Sequence, residues 1–427
     1  MSESLNICAI PSKSHLHRLL ICAALADKKT FIESTHTLQE AQDIKATINC
    51  LLVLGAKIER ADRGYNVWPL ERERLTHRCV LNCMESGSTL RFMLPIICAL
   101  GISCEFYMSG RLPERPLSYL ESELNRAGIR FWRSNPNVLC CEGQLKADEF
   151  NLPGNISSQY ITGMLLALPL LDDYSILHVK EPIESEGYIE MTLEVLEHFG
   201  QTPKKSRTLY QICGRQGFIS PGTISAEGDW SNAAFWLAAG AMPGGNVRLS
   251  GLNRKSTQGD REICKILELM GASVSWDDDI VCVSYGQLCG VEIDASNIPD
   301  LIPILSLVAS VSTGETVIRN ASRLRLKESD RLRTISTALN TLGAKVTEET
   351  DGLRIEGVPH LTGGEVDSFG DHRIAMMAGI ASMVSTKPVT VKGAKAVDKS
   401  YPEFWQVLER VIDTAEFAKR AVKKRKF

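Results

Sequence analysis

One pattern recurs along the chain and limits the folds open to it: an amphipathic helix that stops at a glycine and runs straight into a short strand. It reads INCLLVLGAKIE, LESELNRAGIRFW, TLEVLEHFGQTP, ILELMGASVSW and ALNTLGAKVTEE. The glycines are Gly55, Gly128, Gly200, Gly271 and Gly343, at separations of 73, 72, 71 and 72 residues. Glycine just past the last helical turn is the expected C-terminal cap. A sixth amphipathic stretch, PEFWQVLERVIDTAE, ends near Ala415, where the next repeat would end. A second helix series is interleaved, apolar and rich in small residues, with starts near Ser14, Ser88, Ser158, Ser231, Asp300 and His372. Helices that are apolar on most faces belong in interiors. Six units, each with a buried helix, an amphipathic helix and strands between them, account for all 427 residues. Open solenoids repeat every ~20–50 residues, so this is not their signature. Two domains of three units each keep every core within the size one domain sustains.

Composition removes several functional classes. Hydrophobic residues are 44% and charged residues 23%, as in a folded rather than a disordered chain. The longest apolar stretch, Met164 to Leu171, is well short of the ~20 residues that span a bilayer. The start MSESLNICAIPSK lacks the basic-then-apolar order of a secretory leader, so a cytoplasmic protein without membrane association is expected. Forty-eight Lys+Arg against 51 Asp+Glu give a net charge of -3, which argues against nucleic acid as a partner. The basic end KRAVKKRKF (419–427) reads as a solvated tail. Thirteen cysteines without a CxxC pair read as reduced, mostly buried thiols, and no zinc-ligand spacing appears. No metal site is expected.

Cations gather where helix dipoles oppose them. Pro11-Ser12-Lys13-Ser14 opens a helix carrying Arg18, and Glu85-Ser86-Gly87-Ser88-Thr89 opens one carrying Arg91. Arg115-Pro116 reads as a helix start with proline in the first turn. Ser329-Asp330-Arg331, Asp371-His372-Arg373 and Lys399-Ser400-Tyr401-Pro402 repeat the theme, with Asp330, Asp371, Asp398 and Glu114 close enough to neutralise some of it. A cation at a helix N-terminus costs roughly 0.3–1 kcal/mol, so six such cases point to anions absent from the sequence. Backbone N–H groups, serine hydroxyls and Arg or Lys at a helix start form a phosphate or carboxylate site. Ser14 and Arg18 share a helix face, so Ser14 is expected to cap while Arg18 reaches the same anion. Ser157-Ser158-Gln159 brings two hydroxyls and an amide to another start, and Gly87 permits close approach of a ligand. Neither a GxxxxGK[ST] loop nor a GxGxxG after a strand is present.

Arg323-Leu-Arg-Leu-Lys327 alternates basic and apolar residues, which predicts a strand with Arg323, Arg325 and Lys327 on one face. Glu328, Ser329, Asp330 and Arg331 follow at once. Asp300, in SNIPDLIPILSLVAS, precedes a long apolar helix; it reads either as that helix's cap or, among so many cations, as a base.

Taken together these segments resemble the 5-enolpyruvylshikimate-3-phosphate synthases. The carriers are PSKSHLHR (11–18), ESGSTLR (85–91), PERP (113–116), SSQ (157–159), SEGYI (185–189), EGDWS (227–231), IPD (298–300), LKESDR (326–331), GDHR (370–373) and DKSYPEF (398–404). The resemblance implies transfer of the enolpyruvyl group of phosphoenolpyruvate to the 5-hydroxyl of shikimate 3-phosphate, by addition and elimination, without cofactor; a monomer is expected. It implies an α/β (α+β) fold of two similar globular domains, each of three βαβαββ units, an inside-out α/β barrel. Residues 12–226 would form one domain and 1–11 plus 227–427 the other, with the active site in the cleft between them. Residue by residue, it assigns Ser14, Arg18, Ser157, Ser158, Ser185, Tyr188, Arg323 and Lys327 to shikimate 3-phosphate. Gly87, Arg115, Arg331, Arg373 and Lys399 fall to phosphoenolpyruvate, and Lys13 and Gln159 to both. Asp300 matches the acceptor of the hydroxyl proton, Glu328 a second acid/base group, and His372 a supporting position; with Lys13 these make up the catalytic set.

Two departures stand out: Glu85 and Arg323 occupy positions where many family members carry Asn. An acid near a phosphate-binding turn would repel unless it pairs or points away. The nearest rival is a UDP-N-acetylglucosamine enolpyruvyltransferase. Its reactive loop cysteine has no counterpart in Ser109-Gly-Arg-Leu-Pro-Glu-Arg115. An RNA-binding protein on a related repeat would need a basic surface and stacking aromatics, and aromatics are only 6%. A binding-only relative is opposed by Lys13, Asp300, Glu328 and Lys399.

Overall fold

The computed structural model describes residues 5–35 and 39–414. Its strands form five four-stranded sheets and one two-stranded sheet among the described residues. Each four-stranded sheet repeats one plan: an edge strand parallel to its neighbour, then an antiparallel hairpin. Arg78–Asn82 thus pairs in parallel with Ser103–Tyr107, which pairs antiparallel with Val138–Glu142, whose hairpin partner is Arg130–Asn135. A buried helix joins the parallel strands and an amphipathic helix leads into the hairpin. The five glycines of the repeat all sit at positive φ, between 75° and 104°, as a left-handed helix stop requires. The sixth unit has only the parallel pair Gly364–Asp367 and Val389–Lys392, followed by the helix Phe404–Thr414.

The first unit does not use the strand that precedes it. Leu5–Cys8 pairs in parallel with Asn246–Ser250, and the edge beside Thr30–Glu33 is filled by Thr223–Ser225. The chain accordingly divides into two compact bodies: 11–35 with 42–226, and 5–10, 39–41 with 227–414. They are called the first and second body below.

In the first body the buried helices are Lys13–Leu25, Gly87–Leu100 and Ser158–Ala167; in the second they are Trp230–Ala241, Ile302–Ser310 and His372–Ala381. Small residues let them pack closely. Gly163 lies so near the Arg91 carbonyl that a Cβ would clash with it, which brings the N-termini of Gly87–Leu100 and Ser158–Ala167 side by side. In the second body Phe404 stacks on Trp236 at 5.2 Å and meets Phe235 and Tyr401 edge-on, fixing the last helix to the core. Eight of the thirteen cysteines are buried, most of them in the first body's sheets and helices, while Cys8, Cys213 and Cys289 are exposed. No described helix is long and apolar enough to cross a membrane.

Candidate functional site

The two bodies cap their buried helices differently. In the first, the caps are Ser12, Ser86 and Ser157, whose hydroxyls accept from the N–H groups of His15, Thr89 and Gln159. In the second, Asp229 caps Trp230–Ala241 and Asp371 caps His372–Ala381, while Ile302–Ser310 has no side-chain cap; Asp330 caps the amphipathic helix Arg331–Thr341. A serine leaves the positive end of the dipole uncompensated, whereas an aspartate neutralises it.

Arg18 anchors the first cluster. It is 2% exposed, and its guanidinium donates to Thr192 Oγ1 (2.8 Å), the Ser14 carbonyl (2.6 Å), Thr162 Oγ1 (3.1 Å) and the Tyr188 carbonyl (3.0 Å). Its cation also lies 5.1 Å from the centroid of Phe92. All of these partners are neutral. Burial lowers its pKa to about 10, still far above neutrality, so a full positive charge sits buried with no carboxylate paired to it among the described residues. Around it stand Ser14, half-buried at the second helical position, Ser158, and Ser185, which holds a left-handed backbone (φ 56°) ahead of the helix Glu186–His198. Among the described residues the hydroxyls of Ser14 and Ser158 make no hydrogen bond.

A second group adjoins it across the helix Ser158–Ala167. Arg91 Nη1 donates to Gln159 Oε1 (2.8 Å), Arg91 Nη2 to the Pro116 carbonyl (3.0 Å), and Gln159 Nε2 to Ser88 Oγ (2.9 Å). Gly87 lies against two guanidiniums: a Cβ there would come within 2.6 Å of Arg91 Nη1 and 2.8 Å of Arg115 Nη1. Any side chain at 87 would displace them. Lys13 Nζ contacts Asp43 Oδ2 at 2.6 Å, which brings a carboxylate into this cluster. Below it runs a buried chain, His17 Nδ1 to Thr47 (2.7 Å), Thr47 to Thr89 (2.7 Å), and Thr89 to Ser86 (2.8 Å). Burial drives the pKa of His17 to about 3, so the ring is neutral.

The second body centres on Arg331, 1% exposed. Its Nε donates to Asp371 (2.8 Å), Nη1 to Asp300 (2.6 Å) and Nη2 to Glu328 (2.8 Å). Three carboxylates raise its pKa well above the usual value despite burial. Asp300 stays 19% exposed on its side chain, and Lys327 Nζ (4.0 Å) and Arg373 Nη2 (3.7 Å) also face it. Burial alone would raise its pKa; Lys327, Arg373 and Arg331 outweigh that and hold it well below the usual carboxylate range. Burial lowers Lys327 to about 8 against the pull of Asp300. His372 is buried at the start of its helix beside Asp371, and Lys399 is buried at the end of the turn Ala394–Lys399.

Several expectations need correction. Ser12, not Ser14, caps the first helix; the Ser14 carbonyl receives Arg18 instead. Asp300 is not a cap, because its helix begins at Ile302 and its oxygens are turned to cations. Arg115-Pro116 does not open a helix: Arg115 ends the turn Leu112–Glu114 and the helix starts at Ser118. The Pro116 carbonyl is used instead, by Arg91 and by the Tyr160 hydroxyl. Lys399 likewise ends a turn, and its helix starts at Phe404. The segment expected as a strand is a 3-10 turn, Ser322–Leu326. Its cations diverge: Arg325 goes to Asp330 (3.0 Å) and Glu348 (2.6 Å), Arg323 donates to the Ser296 carbonyl (2.7 Å), and Lys327 faces Asp300 (4.0 Å). Separate partners remove the like-charge repulsion that a shared strand face would impose. Glu85 is exposed and lies against Gly110 in the loop before Arg115.

Sequence reading missed Asp260, buried beside Ser231, and the hydroxyls of Thr162 and Thr192; isolated polar residues carry no pattern. Arg91 was visible as a helix-start cation, but its link to Gln159 was not.

The sequence model of the family described as EPSP synthase (3-phosphoshikimate 1-carboxyvinyltransferase) matches residues 4–408. A 3-phosphoshikimate 1-carboxyvinyltransferase of Clostridium acetobutylicum is 42% identical over 407 residues, covering 94% of this chain and 93% of the relative. One from Clostridium perfringens is 42% identical over 401 residues, covering 93% of each. Among solved structures, EPSP synthase of Acinetobacter baumannii superposes with a TM-score of 0.78 at 24% identity, covering 96% of both chains. An enolpyruvyl transferase of Streptomyces tendae gives 0.75 at 17% identity, covering 96% of this chain and 95% of that one. At those identities the likeness establishes the fold: two domains of the inside-out α/β type.

Proposed function

Because the chain belongs to the EPSP synthase family, the 3-phosphoshikimate 1-carboxyvinyltransferases of the shikimate pathway, we propose how its own residues carry the transfer. The enzyme moves the enolpyruvyl group of phosphoenolpyruvate to the 5-hydroxyl of shikimate 3-phosphate. In the addition, C3 of phosphoenolpyruvate gains a proton, the 5-oxygen bonds to C2, and the hydroxyl proton goes to a base. In the elimination, C3 loses a proton and the C2–oxygen bond to phosphate breaks, the electron pair leaving with inorganic phosphate.

Asp300 is the base. The observation that carries this is its geometry: a carboxylate kept ionised by three cations, yet still partly open. Glu328, oriented by Arg331, is the second acid/base group. Arg331 acts mainly through the three carboxylates it joins, while Arg373 and Lys399 offset the charge of phosphoenolpyruvate, with His372 supporting Arg373. Lys327 and Arg323 serve shikimate 3-phosphate.

In the first body, Arg18 is the anchor for the 3-phosphate, because a buried guanidinium among neutral oxygens lacks only an anion. Ser14, Ser157, Ser158, Ser185 and Tyr188 complete that group. Gly87, Arg115 and Gln159 receive phosphoenolpyruvate, and Lys13 serves both substrates. Charges placed beforehand need not reorganise as charge develops at the reacting carbon.

The test is phosphate release from phosphoenolpyruvate, with shikimate 3-phosphate in one tube and UDP-N-acetylglucosamine in another. Release with shikimate 3-phosphate alone is expected. Release only with the UDP-sugar moves the acceptor, and release with neither overturns the activity.

A further inference from the structure

Asp260 is a carboxyl that none of these roles uses. It lies in the short turn Gly259–Glu262 and is 2% exposed. Its Oδ2 accepts a hydrogen bond from Ser231 Oγ. The backbone carbonyl of the same Ser231 accepts from Arg373 Nη1 at 2.9 Å, and Arg373 Nη2 lies 3.7 Å from Asp300 Oδ2. Arg373 is 4% exposed, and its Nε makes no hydrogen bond among the described residues. One buried guanidinium therefore stands between two carboxyl groups, joined to one directly and to the other through a serine.

We propose that Asp260 is a positioning residue of the transfer: it shares Arg373 with Asp300 and so sets how readily Asp300 accepts the hydroxyl proton. The inference rests on the reading of Asp300 as the base. When Asp260 is ionised it competes for Arg373 and repels the negative charge on Asp300, which makes Asp300 a better proton acceptor. When Asp260 is protonated, Arg373 is left to Asp300 and holds its proton affinity down. The coupling is reciprocal.

The surroundings place the switch near neutrality. Burial, then the charge of Asp300, raises the pKa of Asp260 to about 7; Arg373 and Ser231 oppose this, and Asp229, the cap of the adjoining helix, adds to it. Lys327, Arg331 and Glu328 face Asp300 from its other side. The remaining charged groups near the turn point outward: Arg261 and Lys265 are exposed, and Lys265 pairs with Glu262 at 2.7 Å. Below about pH 7 Asp260 is mainly neutral and above it mainly ionised, so the rate of the chemical step rises through that range.

The experiment is single-turnover phosphate release at saturating phosphoenolpyruvate and shikimate 3-phosphate, from pH 5.5 to 9, for the wild type, Asp260→Asn and Asp260→Glu. Asparagine imitates the protonated group. Asp260→Asn should match the wild type within about twofold at pH 6 and fall about tenfold below it at pH 8.5, the effect of one pKa unit on the base. Asp260→Glu should restore the rise. A variant that keeps the wild-type profile, or loses the same factor at every pH, overturns the proposal. Should Asp260→Asn not fold, carboxyl carbon NMR of the wild type decides: a group at position 260 that titrates near pH 7 supports the proposal, and one that stays ionised at pH 5 refutes it. Asp300→Asn separates the two readings. If that variant keeps its turnover, the assignment of the base has failed. If turnover is lost and Asp260→Asn leaves the profile intact, only this inference has.

Discussion

Arg18 and Arg331 are both buried guanidiniums at the heart of a cluster, and they are solved in opposite ways. Arg18 is surrounded by threonine hydroxyls and carbonyls, beside helices capped by serine. Arg331 is clasped by Asp371, Asp300 and Glu328, beside helices capped by aspartate. The first arrangement is short of negative charge and suits a dianion brought from outside. The second is already balanced, and its balance sets how tightly each carboxylate holds a proton. On the proposed reading, one repeat pattern is furnished for anion capture in one body and for proton handling in the other, through whether neutral oxygens or carboxylates surround the buried guanidinium.

The comparison can be broken in several places. The largest effect should come from Asp300→Asn, which removes the proposed base and should lower kcat by about 10²–10⁴ with little change in KM; phosphate-release kinetics check this. A loss below tenfold would deny proton handling to the second body. Next is Arg331→Met, which strands the buried carboxylate Asp371 and the partly buried Asp300 and Glu328, and should cost about 3–5 kcal/mol in denaturant unfolding. By contrast, Arg18→Met removes a charge that no carboxylate answers. It should weaken shikimate 3-phosphate binding about 10–100-fold by calorimetry while leaving stability near the wild type. Equal destabilisation by the two changes would erase the distinction between the clusters. Gly163→Ala forces apart the helices that align Arg91 with Gln159 and should cost about 1–3 kcal/mol by thermal unfolding. The smallest effect is pH-dependent. Lys327 is charged below about pH 8 and neutral above it, so KM for shikimate 3-phosphate should be flat below that point and rise by up to about tenfold per pH unit above it.

Much of the site was legible because it sits at helix starts, where charge and capping leave marks in the sequence. Lys13, Gly87, Ser157, Arg331 and Arg373 could be picked out that way. Helix boundaries were less legible. Ser12 and Ser14 are both competent caps, and only the path of the chain entering the helix selects Ser12. Alternation in Arg323–Lys327 suggested a strand, but Leu324 is buried and each cation finds its own partner, which a tight turn allows and a strand face does not. Asp260 was invisible, since its neighbour Asp300 lies forty residues away and nothing in STQGDREIC marks burial.

By itself the sequence determined the six-fold repeat, its buried and amphipathic helices, and the residues proposed to hold anions. Those follow from local periodicity, glycine stops and helix-start chemistry. Tertiary structure decided which strand completes which sheet, sending Leu5–Cys8 to Asn246–Ser250 and Thr223–Ser225 to Thr30–Glu33. It also decided which charges are answered inside the protein and which are left for a ligand, because a charge acts on whatever the fold brings within a few ångströms, however distant in the chain.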